Sequence, residues 1–373
     1  MSDSAADLYA QAAERAIRYR AQLDERSVAP PPDAVERLAV LGGPLPETAR
    51  EPAETLALLD DIGSPATVAS AGGRYFGFVT GSSLPVTLAA NWLAGAWDQN
   101  AALYVMSPVA AELEQIALGW LLDVLGLPPG SGGAFVTGAT MANFTALAAA
   151  RHAVLRRVGW DVEADGLFGA PPISVVVGAE AHTTLLKALS LLGLGRSRVI
   201  TIPVDGQGRM RSDALPEISG PVIVCIQAGN VNTGAFDPAS EILPWARRIG
   251  AWVHVDGAFG LWAAAAPARA AQMADFAGAD SWATDAHKWL NVLYDSGLAF
   301  VRDSGALRSA MTATAAYLLP TVEQRDAMYY TPESSRRARG VEIWAALRTL
   351  GRAGLADLIE RCCRHATRFA EGL

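Results

Sequence analysis

Two short runs, Trp252-Val253-His254-Val255-Asp256 and Ser281-Trp282-Ala283-Thr284-Asp285, decide how this chain folds. Each run is short, contains aromatic or β-branched residues and ends on an aspartate, which is typical of a strand. Similar runs lie at 134–137, 173–177, 199–203, 222–227 and 298–301, with helical patterns at 141–158, 183–192 and 240–249. Strands that alternate with helices predict an α/β domain around a mostly parallel sheet. Because such sheets bind ligands beyond the carboxyl ends of their strands, the residues that follow each strand are the candidates for function.

The part of the chain before these runs has a helical texture. Helical patterns cover 5–23 and 54–62, with a break at Pro30-Pro31-Pro32 between them. A further helical stretch, rich in alanine, leucine and tryptophan, covers 84–125. None of these stretches carries an obvious chemical motif, so they predict supporting structure.

Composition limits the possible classes of protein. The chain has 373 residues, of which 51% are hydrophobic and 18% charged, so it has enough apolar residues for a full core. Its net charge of −8 argues against a nucleic-acid partner and against a polybasic membrane contact. The sequence contains no apolar run of membrane-spanning length and no signal peptide at its polar, acidic start. The three cysteines, Cys225, Cys362 and Cys363, form no disulfide framework, which favours a reducing cytoplasm.

Lysine is rare here, since Lys187 and Lys288 are the two lysines among 30 basic residues. Lys288 directly follows a predicted strand, in Asp285-Ala286-His287-Lys288-Trp289. An apolar setting disfavours the charged ammonium group and frees the amine to form a Schiff base with a carbonyl. Lys187 falls within a helical pattern, where a surface position is the simpler interpretation. Codon bias would explain the excess of arginine but not the position of Lys288.

Two further strands are followed by residues that could bind a ligand. The turn Thr137-Gly138-Ala139-Thr140 opens an alanine-rich helix, and free N–H groups at a helix start bind anions such as phosphate. Ordinary capping by Thr140 is the alternative. His182 follows another strand and could stack on a flat ligand, although capping or simple hydrogen bonding is the default interpretation of a lone histidine.

Asp256 ends one of the most apolar strands of the chain. A carboxylate in such a setting is costly without a partner, and a protonated ring nitrogen would be a suitable one. Helix capping and metal binding are the alternatives. No grouping of carboxylates and histidines in the sequence predicts a metal site.

Together these features are the parts of a pyridoxal phosphate site. The phosphate needs a helix start, the ring needs a stacking partner, the ring nitrogen needs a carboxylate, and the aldehyde needs a lysine. All four follow strands of one α/β domain.

The chain resembles the pyridoxal-phosphate-dependent decarboxylases of group II and fold type I, which act on aromatic amino acids, tyrosine or glutamate. The resemblance begins near Tyr75 and is carried most specifically by His254-Val255-Asp256 and by Asp285-Ala286-His287-Lys288-Trp289-Leu290. Supporting motifs are Tyr75-Phe76-Gly77-Phe78, 137–143, Ala181-His182, 203–205, 233–237 and Ser335-Arg336-Arg337.

The resemblance implies a role for each site residue. Lys288 would carry the cofactor as a Schiff base, and Asp256 would pair with the ring nitrogen. His182 would stack on the ring and could take part in proton transfer, while Ala258 would line the ring. The phosphate would be held by Gly138, Ala139 and Thr140, with help from Asp285 and His287.

The resemblance also implies an organisation and a reaction. Residues 1–70 would form a helical segment that interlocks two subunits of a homodimer, 71–335 the large cofactor-binding domain, and 336–373 helices that lead to a largely absent C-terminal small domain. The expected reaction is decarboxylation of an L-amino acid to an amine and CO₂. Transamination, aldehyde formation and a catalytically silent cofactor-binding dimer remain the alternatives.

Two details of the reaction stay open at the level of sequence. Relatives carry a proton donor on a mobile loop, which corresponds here to 318–332, with Tyr329 and Tyr330 as candidates and Asp326 as an alternative at that position. An acidic substrate would need an arginine, for which Arg74 and Arg336 are candidates. The apolar segments 75–78 and 103–105 instead favour an aromatic or apolar substrate.

Overall fold

The computed structural model describes residues 3–312 and 324–373. Contacts between Cα atoms divide the chain into two compact units, Met1–Ser82 and Ser83–Leu373. The domain boundaries that the resemblance implies, after residues 70 and 335, remain predictions.

The first unit combines one long helix with two short helices that begin at prolines. Its helices are α1 (Asp3–Ala21), α2 (Pro32–Arg37) and α3 (Pro52–Leu58), and α3 continues as a π-helical turn, Leu59–Gly63. Proline suits the first turn of a helix because its missing N–H has no partner there in any case. Arg15 and Arg18 of α1 pair with Asp60 at 2.8 and 2.6 Å, which fixes α1 to the π-helical turn.

The second unit alternates strands and helices as the sequence predicts. Its described strands are β1 (Gly132–Val136), β2 (Ser174–Gly178), β3 (Ile200–Ile202), β4 (Val222–Gln227), β5 (Trp252–Asp256), β6 (Ser281–Asp285) and β7 (Gly297–Val301). Its described helices are α4 (Pro85–Trp97), α5 (Pro108–Val124), α6 (Ala139–Arg156), α7 (Val162–Asp165), α8 (Thr183–Leu191), α9 (Ala239–Arg248), α10 (Ser304–Met311) and α11 (Gly340–Gly372). The predicted alternation is confirmed, with ends that differ by one or two residues.

The strands form one sheet in the order β1-β7-β6-β5-β4-β2-β3. The neighbours from β6 to β3 are parallel, and β7 runs antiparallel to both β1 and β6. The mostly parallel sheet is therefore confirmed. Its topology brings the ends of β1, β5 and β6 to one edge, where Gly297 at the start of β7 pairs with Asp285 and Val136. We call this the carboxyl edge.

Apolar side chains fill both faces of the sheet. One cluster contains Val253, Val255 and Trp282, and the other contains Trp252, Val177 and Leu147 of α6. Because side chains alternate between the faces of a strand, Trp252, His254 and Asp256 share the face that packs against α6. No helix in the described ranges is both long and apolar enough to cross a membrane.

Candidate active site

The turn between β1 and α6 approaches the rest of the carboxyl edge closely. A Cβ atom at Gly138 would lie 3.1 Å from Cε1 of His287 and 3.3 Å from Oδ1 of Asp285. A Cβ atom at Gly297 would overlap the backbone of Gly138. Position 297 therefore requires glycine, because a side chain there would force the loop and the strand apart, and position 138 leaves little room for a side chain.

The start of α6 exposes backbone donors to this edge. Gly138 is the N-cap residue and no side chain caps the helix, so the interpretation of Thr140 as the cap is wrong. The N–H of Ala139 donates to Oδ1 of Asp285 at 2.5 Å. A carboxylate at this position shows that the helix start binds an anionic group, as its dipole predicts.

Asp285 connects this helix start to the lysine. Its Oδ2 lies 3.0 Å from Nζ of Lys288, and its Oδ1 lies 3.3 Å from Nε2 of His287. Nδ1 of His287 accepts the N–H of Ser296 at 3.1 Å, so a neutral ring carries its proton on Nε2, the nitrogen nearer to Asp285. Burial lowers the pKa of His287. The Lys288 side chain is 21% exposed, so its amine is held in place yet reachable.

Lys187 is different, as predicted. It lies on α8 with an exposed side chain. The two lysines of the chain are thus one exposed residue on a helix and one ion-paired residue at the carboxyl edge.

Asp256 is a buried carboxylate at the end of β5. It is only 5% exposed, and it accepts hydrogen bonds from Nδ2 of Asn143 and the N–H of Ala258, both at 3.2 Å. Burial raises the pKa of Asp256, and these two donors together with the charges of His182 and Lys288 offset part of that rise. Among residues 5–312 and 324–373 the structure gives Asp256 no ion pair. Its environment therefore fits a cationic ring N–H, which would supply the missing charge.

His182 begins α8 as its N-cap residue. Nδ1 accepts the N–H of Thr184 at 3.3 Å and lies 2.7 Å from Oγ1 of the same residue. The capping interpretation is thus confirmed. The predicted stacking on a ring remains a prediction, and it is compatible with capping because only one ring nitrogen is engaged.

The structure brings the predicted residues together in two linked groups. Gly138, Ala139, Asp285, His287 and Lys288 surround the start of α6, whereas Asp256 and Ala258 lie at the end of the neighbouring strand β5. Thr140 lies in the first turn of α6 without a described contact to the other predicted residues. No cluster of potential metal ligands occurs in the part of the chain that the structure describes.

Sequence reasoning missed the role of Asn143. It is fully buried on α6 and donates to Asp256. The available signal was one amide side chain among the alanines of a buried helix, since a buried amide needs partners of its own.

The candidate proton donors lie in a packed region. Tyr329 is buried with Ala102 and Met328, and the Tyr330 ring lies 4.2 Å from the guanidinium carbon of Arg325. Asp326 accepts the N–H of Tyr104 at 2.8 Å. Residues 318–323 of the predicted loop lie outside the described residues, so the identity of the donor remains a prediction.

The two candidate arginines for an acidic substrate are engaged elsewhere. Arg336 is buried, pairs with Glu114 at 2.6 Å and donates to the carbonyl oxygens of Ala101 and Phe135. Arg74 donates to the carbonyl oxygens of Asp24 and Arg26 within the first unit.

Comparison with known proteins identifies the family. The family model described as the pyridoxal-dependent decarboxylase conserved domain matches residues 51–373. Tryptophan decarboxylase 1 of Oryza sativa subsp. japonica is 29% identical over 312 residues, which cover 77% of this chain and 60% of that protein. Acidic amino acid decarboxylase GADL1 of Bos taurus is 30% identical over 288 residues, which cover 74% of this chain and 54% of that protein.

Solved structures agree with the fold. The crystal structure of Oryza sativa TDC with PLP and tryptamine matches with a TM-score of 0.87 and 25% identity, covering 96% of this chain and 76% of that one. The apo structure of mouse CSAD matches with a TM-score of 0.89 and 22% identity, covering 99% and 79%, and shows the fold alone.

The fold and the carboxyl edge thus define a pyridoxal phosphate protein of fold type I. The chain belongs to the pyridoxal-dependent decarboxylase family. The fold class and the cofactor predicted from the sequence are confirmed. The chain spans little more than half the length of the curated relatives named above.

Proposed function

We propose that this chain catalyses the pyridoxal-phosphate-dependent decarboxylation of an L-amino acid to its amine and CO₂. The observation that carries the proposal is the pairing of a reachable lysine amine with a buried carboxylate at the ends of neighbouring strands, Lys288 after β6 and Asp256 on β5. The similarity to tryptophan and acidic amino acid decarboxylases supports the same chemistry.

Pyridoxal phosphate supplies, when bound, an aldehyde that condenses with amines and a ring that withdraws electrons from the substrate Cα. Lys288 provides the amine that holds the cofactor. Asp256 keeps a proton on the ring nitrogen by offering it a buried negative charge. His182 would cover the ring, which Ala258 would line. The backbone N–H groups of Gly138 and Thr140 would bind the phosphate, while that of Ala139 is held by Asp285.

Asp285 has a different task from the one implied by the resemblance. A carboxylate has no proton to donate to a phosphate, and its charge would repel one. Asp285 instead accepts from Ala139 and holds both His287 and Lys288, at 3.3 and 3.0 Å. We therefore assign to it the orientation of the Lys288 amine, while His287 remains a candidate donor to the phosphate.

We propose an aromatic or apolar substrate. The support is the engagement of both candidate arginines, because Arg336 is buried against Glu114 and Arg74 donates to backbone carbonyls. A substrate carboxylate on the side chain would need a guanidinium that is free to pair with it. The test panel should compare L-tryptophan, L-tyrosine and L-phenylalanine with L-aspartate and L-glutamate.

The proposed function is tested by trapping the cofactor. The purified chain is incubated with pyridoxal phosphate, reduced with borohydride and mapped by mass spectrometry, and CO₂ release is measured with the substrate panel. We expect the label on Lys288. We expect Lys288→Ala to lose the label at this position and to lower turnover by roughly a thousandfold or more. Lys187→Arg is the matched control, since it changes the other lysine and should leave both unchanged.

The products separate the alternatives. An amine with CO₂ supports decarboxylation, whereas an aldehyde or an oxo acid would show that the same site performs aldehyde formation or transamination. A label on Lys288 without turnover of any amino acid would favour the silent cofactor-binding protein. A label on Lys187, or on neither lysine, would refute the assignment of Lys288.

The association state and location are also proposals. We propose a homodimer, supported by large exposed apolar side chains on α4, on α5 and in the connection between them, namely Trp92, Leu93, Trp97, Val105, Met106, Val109 and Ile116. We propose the cytoplasm as the location, supported by three cysteines that are all unpaired.

A further inference from the structure

A chain of buried polar side chains leads from the core to Asp256. Trp252, His254 and Asp256 occupy alternate positions on the face of β5 that packs against α6, and Ser281 lies beside His254 on β6. Asn143 of α6 lies between His254 and Asp256. His254, Ser281 and Asn143 are fully buried, so each polar atom needs a partner inside the protein.

The contacts are continuous. Nε1 of Trp252 lies 2.8 Å from Oγ of Ser281, which lies 2.9 Å from Nδ1 of His254. Nε2 of His254 lies 2.8 Å from Oδ1 of Asn143, whose Nδ2 lies 3.2 Å from Oδ2 of Asp256. We call these four residues, Trp252, Ser281, His254 and Asn143, the relay.

The indole at the far end is consistent with one direction of the relay. An indole N–H can only donate, so Oγ of Ser281 accepts from Trp252, and its own hydrogen is available to donate to Nδ1 of His254. The neutral imidazole then carries its proton on Nε2 and donates to Oδ1 of Asn143. This leaves the NH₂ group of Asn143 facing Asp256.

The opposite direction is excluded by two costs. It would point the carbonyl oxygen of Asn143 at a carboxylate, which is repulsive unless Asp256 is protonated. It would also leave the Ser281 hydroxyl hydrogen without an acceptor, since the structure gives Oγ no further partner in the described ranges.

We propose that the relay is a positioning device that presents an N–H donor to Asp256 and thereby keeps its carboxylate ionised and fixed for a cationic ring. This inference rests on the proposed role of Asp256 and assigns Asn143 as a positioning residue. The relay donates through Asn143 to Oδ2, while the N–H of Ala258 donates to Oδ1. Both donors stabilise the charged form of the carboxylate.

The neutrality of His254 supports the same arrangement. Burial lowers the pKa of His254 to about 3, so the ring is uncharged at neutral pH and has one proton to place. An imidazolium would donate from both nitrogens and would reverse the bond to Ser281.

The direction is tested first in the cofactor-free protein. ¹⁵N-histidine labelling and long-range ¹H–¹⁵N spectra report the tautomer of each ring, and a His254→Gln variant assigns the signal. We expect a neutral His254 with its proton on Nε2 at pH 7. A proton on Nδ1, or a charged ring, would overturn the relay. This readout does not involve catalysis, so it stands or falls separately from the proposed function.

The consequence for the cofactor is tested with Asn143→Leu, which keeps the size of the side chain but removes its donor. We expect the dissociation constant for pyridoxal phosphate to rise about tenfold to hundredfold, because a hydrogen bond to a charged group is lost. Asn143→Asp should weaken binding as well, since it brings a second carboxylate to Asp256. Thr145→Val is the control, because it removes a buried hydroxyl of α6 that, among the described residues, bonds to the carbonyl of Met141 alone.

The outcomes are distinct. Affinity within twofold of wild type for Asn143→Leu, or an equal loss for Thr145→Val, would refute the positioning role. Weakened binding in the two Asn143 variants, with the label still on Lys288 and an unchanged thermal midpoint relative to Thr145→Val, would support it. Absence of the Lys288 label in the wild-type chain would refute the proposed function and leave the tautomer result intact.

Discussion

At the scale of single residues, a neutral histidine in the core makes the stability of this chain depend on pH. The pKa of His254 is about 3 in the folded protein and 6.5 for an ordinary histidine. A group whose pKa is lowered by folding contributes stability above the ordinary pKa, and that contribution is lost as the pH falls toward the folded value. The unfolded chain binds a proton in this window that the folded chain does not bind.

We therefore expect the free energy of unfolding to fall between pH 6.5 and about pH 3, with His254 contributing roughly 1.4 kcal/mol per pH unit. Urea unfolding at several pH values would measure the slope. The dependence of the free energy of unfolding on pH should be shallower for His254→Gln, by the slope that corresponds to about one bound proton. The variant His365→Gln, which changes an exposed histidine, should match the wild type. Equal slopes in all three proteins would mean that His254 is not neutral in the folded state.

Residues of the site were predictable to different degrees. Lys288 and Asp256 were identifiable because a lysine is scarce here and a carboxylate after an apolar strand needs a partner. Asn143 was not identifiable, since one asparagine in a helix has many ordinary explanations until its distance to Asp256 is known. The role of Asp285 required geometry, because only the sheet brings Ala139 to it and only the distance to Lys288, three residues further along the chain, shows that the two side chains pair.

At the scale of elements, a buried ion pair fixes the segment that precedes α11. Glu114 of α5 is fully buried and pairs with the buried Arg336 at 2.6 Å. Arg336 also donates to the carbonyl oxygens of Ala101 and Phe135. One guanidinium therefore joins α5, β1 and the connection between α4 and α5. The arrangement stabilises the fold only while both charges are present.

We expect Glu114→Ala to lower the free energy of unfolding by about 3–5 kcal/mol, because it leaves the Arg336 charge buried without its partner. Chemical denaturation would measure this loss. Glu112→Ala is the matched control, since it changes an exposed glutamate on the same helix and should cost less than about 0.5 kcal/mol. Similar losses in the two variants would show that the buried pair contributes little beyond helix formation.

The elements themselves were largely predictable, but one direction was not. Apolar runs and helical periodicity identify β1–β7 and the longer helices α6, α8 and α9 between them within a residue or two. Periodicity carries no information on strand direction, and β7 proves antiparallel to its neighbours. The short connection from β6 to β7 held the missing signal, since a parallel return needs a crossover of a dozen or more residues.

At the scale of the whole molecule, the exposed apolar side chains on α4, on α5 and in their connection predict self-association. We expect sedimentation velocity to show a dimer at micromolar concentration. Leu93→Ser combined with Trp97→Ser should raise the dimer dissociation constant by about a hundredfold, because two large apolar contacts are lost. Phe168→Ser is the control, since Phe168 is 99% exposed outside this stretch. A wild-type monomer, or equal weakening by Phe168→Ser, would contradict the proposed interface.

The connection between β6 and β7 has a thermodynamic consequence. Lys288 lies on the loop from Ala286 to Ser296, whose ends belong to adjacent paired strands. The loop is closed by hydrogen bonds from the N–H groups of Ala286 and His287 to the carbonyl oxygen of Ser296, at 3.0 and 3.2 Å. The closure entropy of this loop is therefore lost when the sheet forms. A ligand that binds the Lys288 amine then has less ordering of this loop to offset. Its affinity depends more directly on the contacts that it makes than it would if the lysine lay on a flexible terminal segment.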